Sequence, residues 1–357
     1  MKVLILSASI GAGHMQAAEA IAEQFGIDEK DQIEVVDFMD KKIATLNWLL
    51  KKVYLSILGL IPDLYDRIYK IAGVRRFGSI TRLIWSTLMY LPFARLLKNF
   101  DPDVIICTHP FPEAAAAFWK FLHPKKSNQF KLVAVLTDFS LHEIWIYNEV
   151  DFYFVATDQM KEELESHGNY KVFATGIPIR KQFQIDQDEF RIPYSVLIMG
   201  GGLGLGAFEE TIRSLEKINF KIKINVVTGK NEQLQNKLRS MNSKHELQIF
   251  GFVKNISSLM QAADLLISKP GALTLSESFA VGLPILLLPP IPGPEALNAE
   301  YAVDHGAAIA LNNSEEIIQA IEILNDRVKL SRMSEKAKKI SKPFAAEKII
   351  NVITSNI

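Results

Sequence analysis

A histidine directly follows a glycine turn in the stretch SASIGAGHMQAAEAI, residues 7 to 21. Gly11-Ala12-Gly13-His14 separates the apolar run Val3-Leu4-Ile5-Leu6 from an alanine-rich helical pattern. Such a turn has two chemical uses: its N–H groups can seat a phosphate at a helix start, or it can hold the imidazole against a reacting group. Gln16 stands where the third glycine of a dinucleotide fingerprint belongs, and no P-loop Lys-Ser/Thr follows, so a dinucleotide site is disfavoured. At the start of a helix the dipole opposes protonation, which keeps His14 neutral and able to accept a proton. The competing reading is a packing or capping histidine.

Two further clusters carry polar chemistry. Met199 is followed by five glycines in seven residues, 200 to 206, between a strand pattern and a helix pattern. Without Cβ atoms there, a diphosphate can approach the backbone; the alternative is a flexible turn. Residues 268 to 308 begin with the turn Lys269-Pro270-Gly271-Ala272, and Thr274, Ser276 and Glu277 are expected on the first turn of the helix behind it. A carboxylate at that place can take two ribose hydroxyls. Glu295 and Asn298, three apart after a proline–glycine loop, can face a polyhydroxylated ligand together. Asp138 and His142 lie four apart, two ligands where a metal site needs more, so acceptor-side or structural roles fit them better. With no H-E-x-x-H pair, G-x-S-x-G elbow or clustered His/Cys set, no metal is expected.

The elements that must position these groups follow from periodicity. Short β-rich runs, KVLIL, DVIIC, KLVAVLTD and DFYFVAT, alternate with helical patterns up to about residue 170. A second series then begins at YSVLIMGGG and continues through KIKINVVTG, LQIFGFV, ADLLISK and GLPILLLPP. This predicts two α/β domains, each a doubly wound parallel sheet. Prolines and charges between 175 and 195 mark the join, giving an N-terminal domain over 1–185 and a C-terminal domain over 186–342.

The 357 residues, 48% hydrophobic and 22% charged, suit two soluble cores. Forty basic and forty acidic residues cancel, which argues against non-specific nucleic-acid binding. Cys107 is the only cysteine, so no internal disulfide framework exists. The N-terminus reads as a first strand rather than a signal peptide, and no apolar window is long enough to span a bilayer, so a cytoplasmic setting is expected.

Residues 41 to 98 break the alternation. They hold eleven Lys/Arg against two acids, interleaved with Trp48, Trp85, Tyr54, Phe77 and a series of leucines. An apolar, aromatic set with a basic complement is what a helix at an anionic membrane surface requires. The alternative is a core helix pair with a solvated basic edge.

Taken together, KPGALTLSE, GLPILL and IPGPEALNA resemble the donor-site signature of GT-B glycosyltransferases that use UDP-sugars. GAGH, LTDFSLHEIW, DFYFVATDQMKEEL and TGIPIR are similar to the monogalactosyldiacylglycerol synthase and processive diacylglycerol glucosyltransferase family in particular. The likeness covers residues 1 to about 310, and the lipid II N-acetylglucosaminyltransferase is a related group. It implies two Rossmann-like domains facing a central cleft, with a helix near 343–357 returning to the N-terminal domain. It implies His14 as general base on the acceptor hydroxyl, with Gly13, His109 and Asp138 on the acceptor side. For the donor it implies Gly201, Gly202 and Gly204 near the diphosphate, and backbone contacts from Phe252 and Val253 to uracil. Gly271, Ala272, Leu273 and Thr274 would line the nucleotide, Glu277 would hold the ribose, and Glu295 and Asn298 would approach the sugar or phosphates. Trp48, Arg75, Arg76 and Trp85 would meet the membrane.

The implied reaction is inverting transfer of a hexose, glucose before galactose, from a UDP-sugar to diacylglycerol or a glycosyl-diacylglycerol. UDP-sugar is a co-substrate and no cofactor is implied; the enzyme would sit peripherally on the inner face of the cell membrane. Two alternatives stay open: transfer of N-acetylglucosamine to an undecaprenyl-linked acceptor, and a non-catalytic nucleotide-sugar sensor. LTDFSLHEIW counts against the first. Pro294, in place of the family's usual glutamine, is the only hint of the second.

Overall fold

The computed structural model describes residues 1–26, 31–40, 43, 48–49, 52, 75–184, 194–202, 204, 206–290, 293–313, 316–318, 321 and 326–356, the side chains of 75–81 excepted. Most of the basic, aromatic stretch before residue 75 and the middle of the expected linker therefore lie outside the described residues. The chain divides into two compact units, Met1–Lys181 with Pro292–Pro294 and Phe344–Ile357, and Gln182–Ile291 with Glu295–Pro343.

The first unit is built on a parallel sheet of β1 (Lys2–Ser7), β2 (Gln32–Asp37), β3 (Val104–Cys107), β4 (Lys131–Val135), β5 (Phe152–Phe154) and β6 (Val172–Phe173), in the order β2-β1-β3-β4-β5-β6. β1 and β3 are almost wholly buried, as expected of central parallel strands covered on both faces. β2, at an edge, reads QIEVVD and only Val36 is fully buried. Helices α1 (Gly13–Phe25), α2 (Arg75–Phe100), α3 (Pro110–Leu122) and α4 (Asp158–His167) connect the strands.

In the second unit β7 (Ser195–Met199), β8 (Lys223–Val227), β9 (Glu246–Phe250), β10 (Leu265–Ser268), β11 (Ile285–Leu287) and β12 (Ala308–Ala310) form a parallel sheet in the order β12-β11-β10-β7-β8-β9. Helices α5 (Phe208–Leu215), α6 (Glu232–Arg239), α7 (Ile256–Gln261), α8 (Ala272–Ala280), α9 (Glu295–Asp304) and α10 (Arg327–Ile340) complete it. Ile198, Ile212, Ile224, Ile267 and Leu286 are among the residues of its core. The last helix, α11 (Ala345–Ser355), belongs to the first unit and packs on α1, with Ile349 and Ile353 in one cluster with Ala18, Ile21 and Phe25.

Each sheet has one place where the chain reverses its direction of growth. In the first it lies between β1 and β3, in the second between β7 and β10. Loops leaving neighbouring strands diverge there and open a crevice at the carboxyl ends, the usual ligand position in open α/β sheets. Gly11-Ala12-Gly13-His14 follows β1, and Thr108-His109 follows β3. The glycine run 200–206 follows β7, and Lys269-Pro270-Gly271 follows β10.

Candidate functional site

At the β1/β3 crevice His14 is the second residue of α1 and is half-buried. Its Nδ1 lies 3.0 Å from the carbonyl oxygen of Thr108, and the Thr108 hydroxyl donates back to the carbonyl of His14 at 3.0 Å. A carbonyl can only accept, so the proton of a neutral imidazole sits on Nδ1 and the lone pair on Nε2. Thr137 Oγ1 lies 2.6 Å from the same Nδ1 and holds the ring from the β4 side. Burial lowers the pKa of His14, while the charge of Asp138 and the bond to Thr108 oppose the shift. The result is a neutral imidazole with Nε2 as its proton-accepting atom.

His109 packs edge-on against His14 with ring centroids 4.6 Å apart. Its Nδ1 accepts from Phe111 N at 3.1 Å, which caps α3, and burial followed by the nearby His14 pushes its pKa well down. A second cation therefore does not form beside His14. Gly13 opens α1 and Ala12 provides no side-chain cap, so the first N–H groups of this helix are left to the backbone and to ligands. The loop that carries His14 is braced from β2. Ser9 N donates to Asp37 Oδ1 at 3.0 Å, the Ser9 hydroxyl donates to Oδ2, and Met39 N donates to Oδ1 at 3.0 Å. His142 accepts from Ile144 N at 3.2 Å and caps the short turn behind the Asp138 loop.

The β7/β10 crevice is built from backbone instead. Gly201 and Gly204 have φ of 67° and 61°. A Cβ on Gly204 would stand 2.2 Å from the carbonyl oxygen of Thr228, and one on Gly229 would stand 2.7 Å from the carbonyl oxygen of Gly202. Lys230 N donates to Gly202 O at 3.1 Å, so the loops after β7 and β8 lock backbone against backbone. Only glycine fits either contact. α5 and α8 both begin without a side-chain cap, at Ala207 and Gly271, which leaves their first N–H groups to receive an anion.

Around this loop Ala272 and Leu273 are buried and Thr274 is half-buried on the first turn of α8. Glu277 does not share that turn: α8 begins at Ala272, so Glu277 falls one turn further in and is buried. Lys269, beside Gly201, makes an ion pair with Glu295 at the start of α9, and Asn298 is buried one turn on. Phe252 and Val253 follow β9; Phe252 is exposed, with Lys230 Nζ 5.8 Å from its ring centre.

Of the residues expected at a membrane, Trp85 turns inward and stacks on Phe111 at 4.2 Å. Trp48 is half-buried with Lys52 Nζ 4.1 Å over its ring. Arg75 and Arg76 start α2, and their side chains lie outside the described residues. The exposed apolar face of α2 is instead Leu83, Ile84, Leu88 and Leu91, continued by Phe121 and Leu122 at the end of α3. Among the described residues no helix is long and apolar enough to cross a membrane, and no three His, Cys, Asp or Glu side chains gather as metal ligands.

A neutral imidazole at one switch point and uncapped helix starts over glycine loops at another, carried by two such sheets, define a GT-B glycosyltransferase. Similar folds include MurG of Acinetobacter baumannii (TM-score 0.65, 18% identity, 99% of both chains) and CalG4, the calicheamicin glycosyltransferase (TM-score 0.62, 12% identity, 100% and 98%). The monogalactosyldiacylglycerol (MGDG) synthase model matches residues 14–179, and the glycosyltransferase family 28 C-terminal domain matches 195–351. The processive diacylglycerol beta-glucosyltransferase of Bacillus cereus is 33% identical over 99% of this chain and 93% of its own length; that of Bacillus pumilus is 30% identical over 99% and 94%. The chain belongs to this family of glycolipid-synthesising glycosyltransferases.

Proposed function

We propose that the enzyme transfers a hexose, glucose in preference to galactose, from a UDP-sugar to the hydroxyl of diacylglycerol or a glycosyl-diacylglycerol, with inversion, at the inner face of the cell membrane. The observation that carries the chemistry is the fixed tautomer of His14. As the acceptor oxygen attacks the anomeric carbon, its proton passes to Nε2; the bond from that carbon to the diphosphate breaks and UDP leaves with the electron pair. Thr108 and Thr137 hold the ring, and Asp138 steadies the imidazolium once formed. The amides of the Gly201–Gly204 loop and the uncapped starts of α5 and α8 suit the departing diphosphate, and each such donor contributes roughly 3–4 kcal/mol in comparable oxyanion sites. Glu277 is assigned to the ribose, Phe252 and Val253 to uracil, and Glu295 and Asn298 to the sugar end; no metal is called upon.

The lipid acceptor accounts for the outer face of α2. Ile84, Leu88 and Leu91 share one stripe with the exposed cations Arg95 and Lys98, while Met89, Phe93 and Leu97 fill the core on the other side. Apolar groups flanked by cations fit acyl chains beneath anionic headgroups. The activity is tested by incubating the protein with anionic vesicles containing diacylglycerol and either UDP-glucose or UDP-galactose. Mass spectrometry of the lipid product and the anomeric proton coupling in its NMR spectrum give the expected β-glucosyl-diacylglycerol. An α-linked product would refute inversion, and a soluble or polyprenyl-linked product would refute the acceptor.

A further inference from the structure

Within the first unit lies a cavity of about 400 Å³ that the transfer chemistry does not use. Its walls come from α2, the second half of α3, the loop after β4, and the end of α4 with the loop before β6, with Arg82, Phe118, Tyr147, Asn148, Glu149 and Tyr170 among the lining residues. We propose that it is a second, non-catalytic carbohydrate site that holds the neutral hexosyl headgroup of a membrane glycolipid. The proposal rests on the membrane-facing reading of α2.

Charge selects a neutral ligand. Among the basic side chains of the lining, His167 lies with Nε2 3.4 Å from Glu143 Oε1, and Arg82 donates from Nη1 to the carbonyls of Glu143, at 3.3 Å, and of Ile146, and stands 5.5 Å from the centre of the Tyr147 ring. It is thus engaged by the protein, and the carboxyl groups of Glu143 and Glu149 border the same space. A phosphate entering there would meet two carboxyls and a guanidinium already bonded. A sugar meets what it needs. Tyr170 donates to Asn148 Oδ1 at 3.0 Å, which leaves Nδ2 as a donor, and the Glu149 carboxyl on the same lining is an acceptor. A donor and an acceptor on one lining are what the hydroxyls of a sugar ring require. Phe118 and Tyr147 add aromatic surface for the apolar face of a pyranose.

The rim fixes the source as a lipid. Leu83 and Phe121 line the cavity and are 58% and 65% exposed, and Ile84, Leu88 and Leu122 continue the apolar surface beyond it. A headgroup bound in the cavity can lay its acyl chains along that surface. The consequence is retention: the enzyme dwells longer on membrane that already carries glycolipid.

The test uses the full chain, without UDP-sugar, in co-sedimentation with phosphatidylcholine vesicles that do or do not contain glucosyl-diacylglycerol. The glycolipid is expected to raise the bound fraction, and Asn148→Ala and Glu149→Gln each to weaken that response, by up to roughly tenfold, the loss or weakening of one hydrogen bond. His14→Ala keeps the response, because His14 does not line the cavity. Asn148 is exposed, so its variant tests the site without disturbing the core. A wild-type protein that binds plain vesicles but ignores the glycolipid overturns the cavity and leaves the transfer reaction standing. So does an unchanged response in both cavity variants, or loss of the response in His14→Ala. Binding of free methyl glucoside as tight as that of the glycolipid overturns the lipid source.

Discussion

The two switch points solve the same problem with opposite materials. Between β1 and β3 the working atom belongs to a side chain: the Thr108 carbonyl behind β3 and the Thr137 hydroxyl behind β4 hold its Nδ1, and Asp37 at the end of β2 braces the loop that carries it. Between β7 and β10 the groups suited to the ligand are main-chain N–H groups, and what the sequence supplies is chiefly the absence of Cβ atoms. A proton acceptor needs one tuned nitrogen. A diphosphate needs several donors at once, which the backbone offers without side-chain ordering.

This contrast breaks most clearly at His14. Replacing it by Ala removes the base and is expected to lower kcat about 10²- to 10⁴-fold, while UDP binding, followed by calorimetry, stays at the wild-type value. Next comes Gly204→Ala. Its methyl group collides with the Thr228 carbonyl, so the loop must move at a cost of about 1–3 kcal/mol; KM for the UDP-sugar should rise at least tenfold, whereas Thr274→Ala, a side-chain truncation beside the same loop, changes it less. A Thr274 effect larger than that of Gly204 would mean that side chains carry the donor site after all.

Smaller effects sharpen the first site. Asp37 positions His14 through Ser9, so Asp37→Asn should cost about tenfold in kcat with KM for the UDP-sugar unchanged, and Asp37→Glu should restore part of it. The acid limb of kcat/KM should lie below the ordinary histidine value of about 6.5, because burial lowers the pKa of the base. Asp138 acts in the opposite direction, so Asp138→Asn should move that limb to still lower pH. The smallest change expected is in stability. Glu113 on α3 is fully buried with both carboxyl oxygens unpartnered, and burial pushes its pKa well up. The folded chain then keeps a proton that the unfolded chain loses above the usual carboxylate range, so its contribution weakens as pH rises. Glu113→Gln should raise Tm at pH 8 relative to wild type by about 2–4 °C for each kcal/mol recovered, with a smaller gain at pH 5.

Much of this was legible in the residues themselves. Central strands such as VLIL and VIIC announce themselves as unbroken apolar runs, because parallel strands are buried on both faces. The strands β2, β6 and β12 did not stand out: QIEVVD alternates at an edge, and the other two span two and three residues. His14 and the glycine run 200–206 were visible through local turn chemistry. Thr108, Thr137, Asp37 and Gly229 were not, since each acquires its role from strand order, which brings together residues 94, 123 and 28 apart in sequence. The available signal was a polar residue at or just after the carboxyl end of an apolar run, as in IICTH, VLTD and VVDF. The outward face of α2 was legible as an apolar, basic composition, but which residues point out was not: Trp85 packs inward and the exposed positions are leucines and an isoleucine.

The tautomer of His14 is the point on which the chemistry turns. A ¹⁵N-detected histidine NMR titration of the intact protein reads it directly. The structure predicts a proton on Nδ1, a bare Nε2 and a pKa below about 6.5. A proton on Nε2 at neutral pH, or a pKa above the ordinary histidine value, would contradict the assignment of His14 as the base.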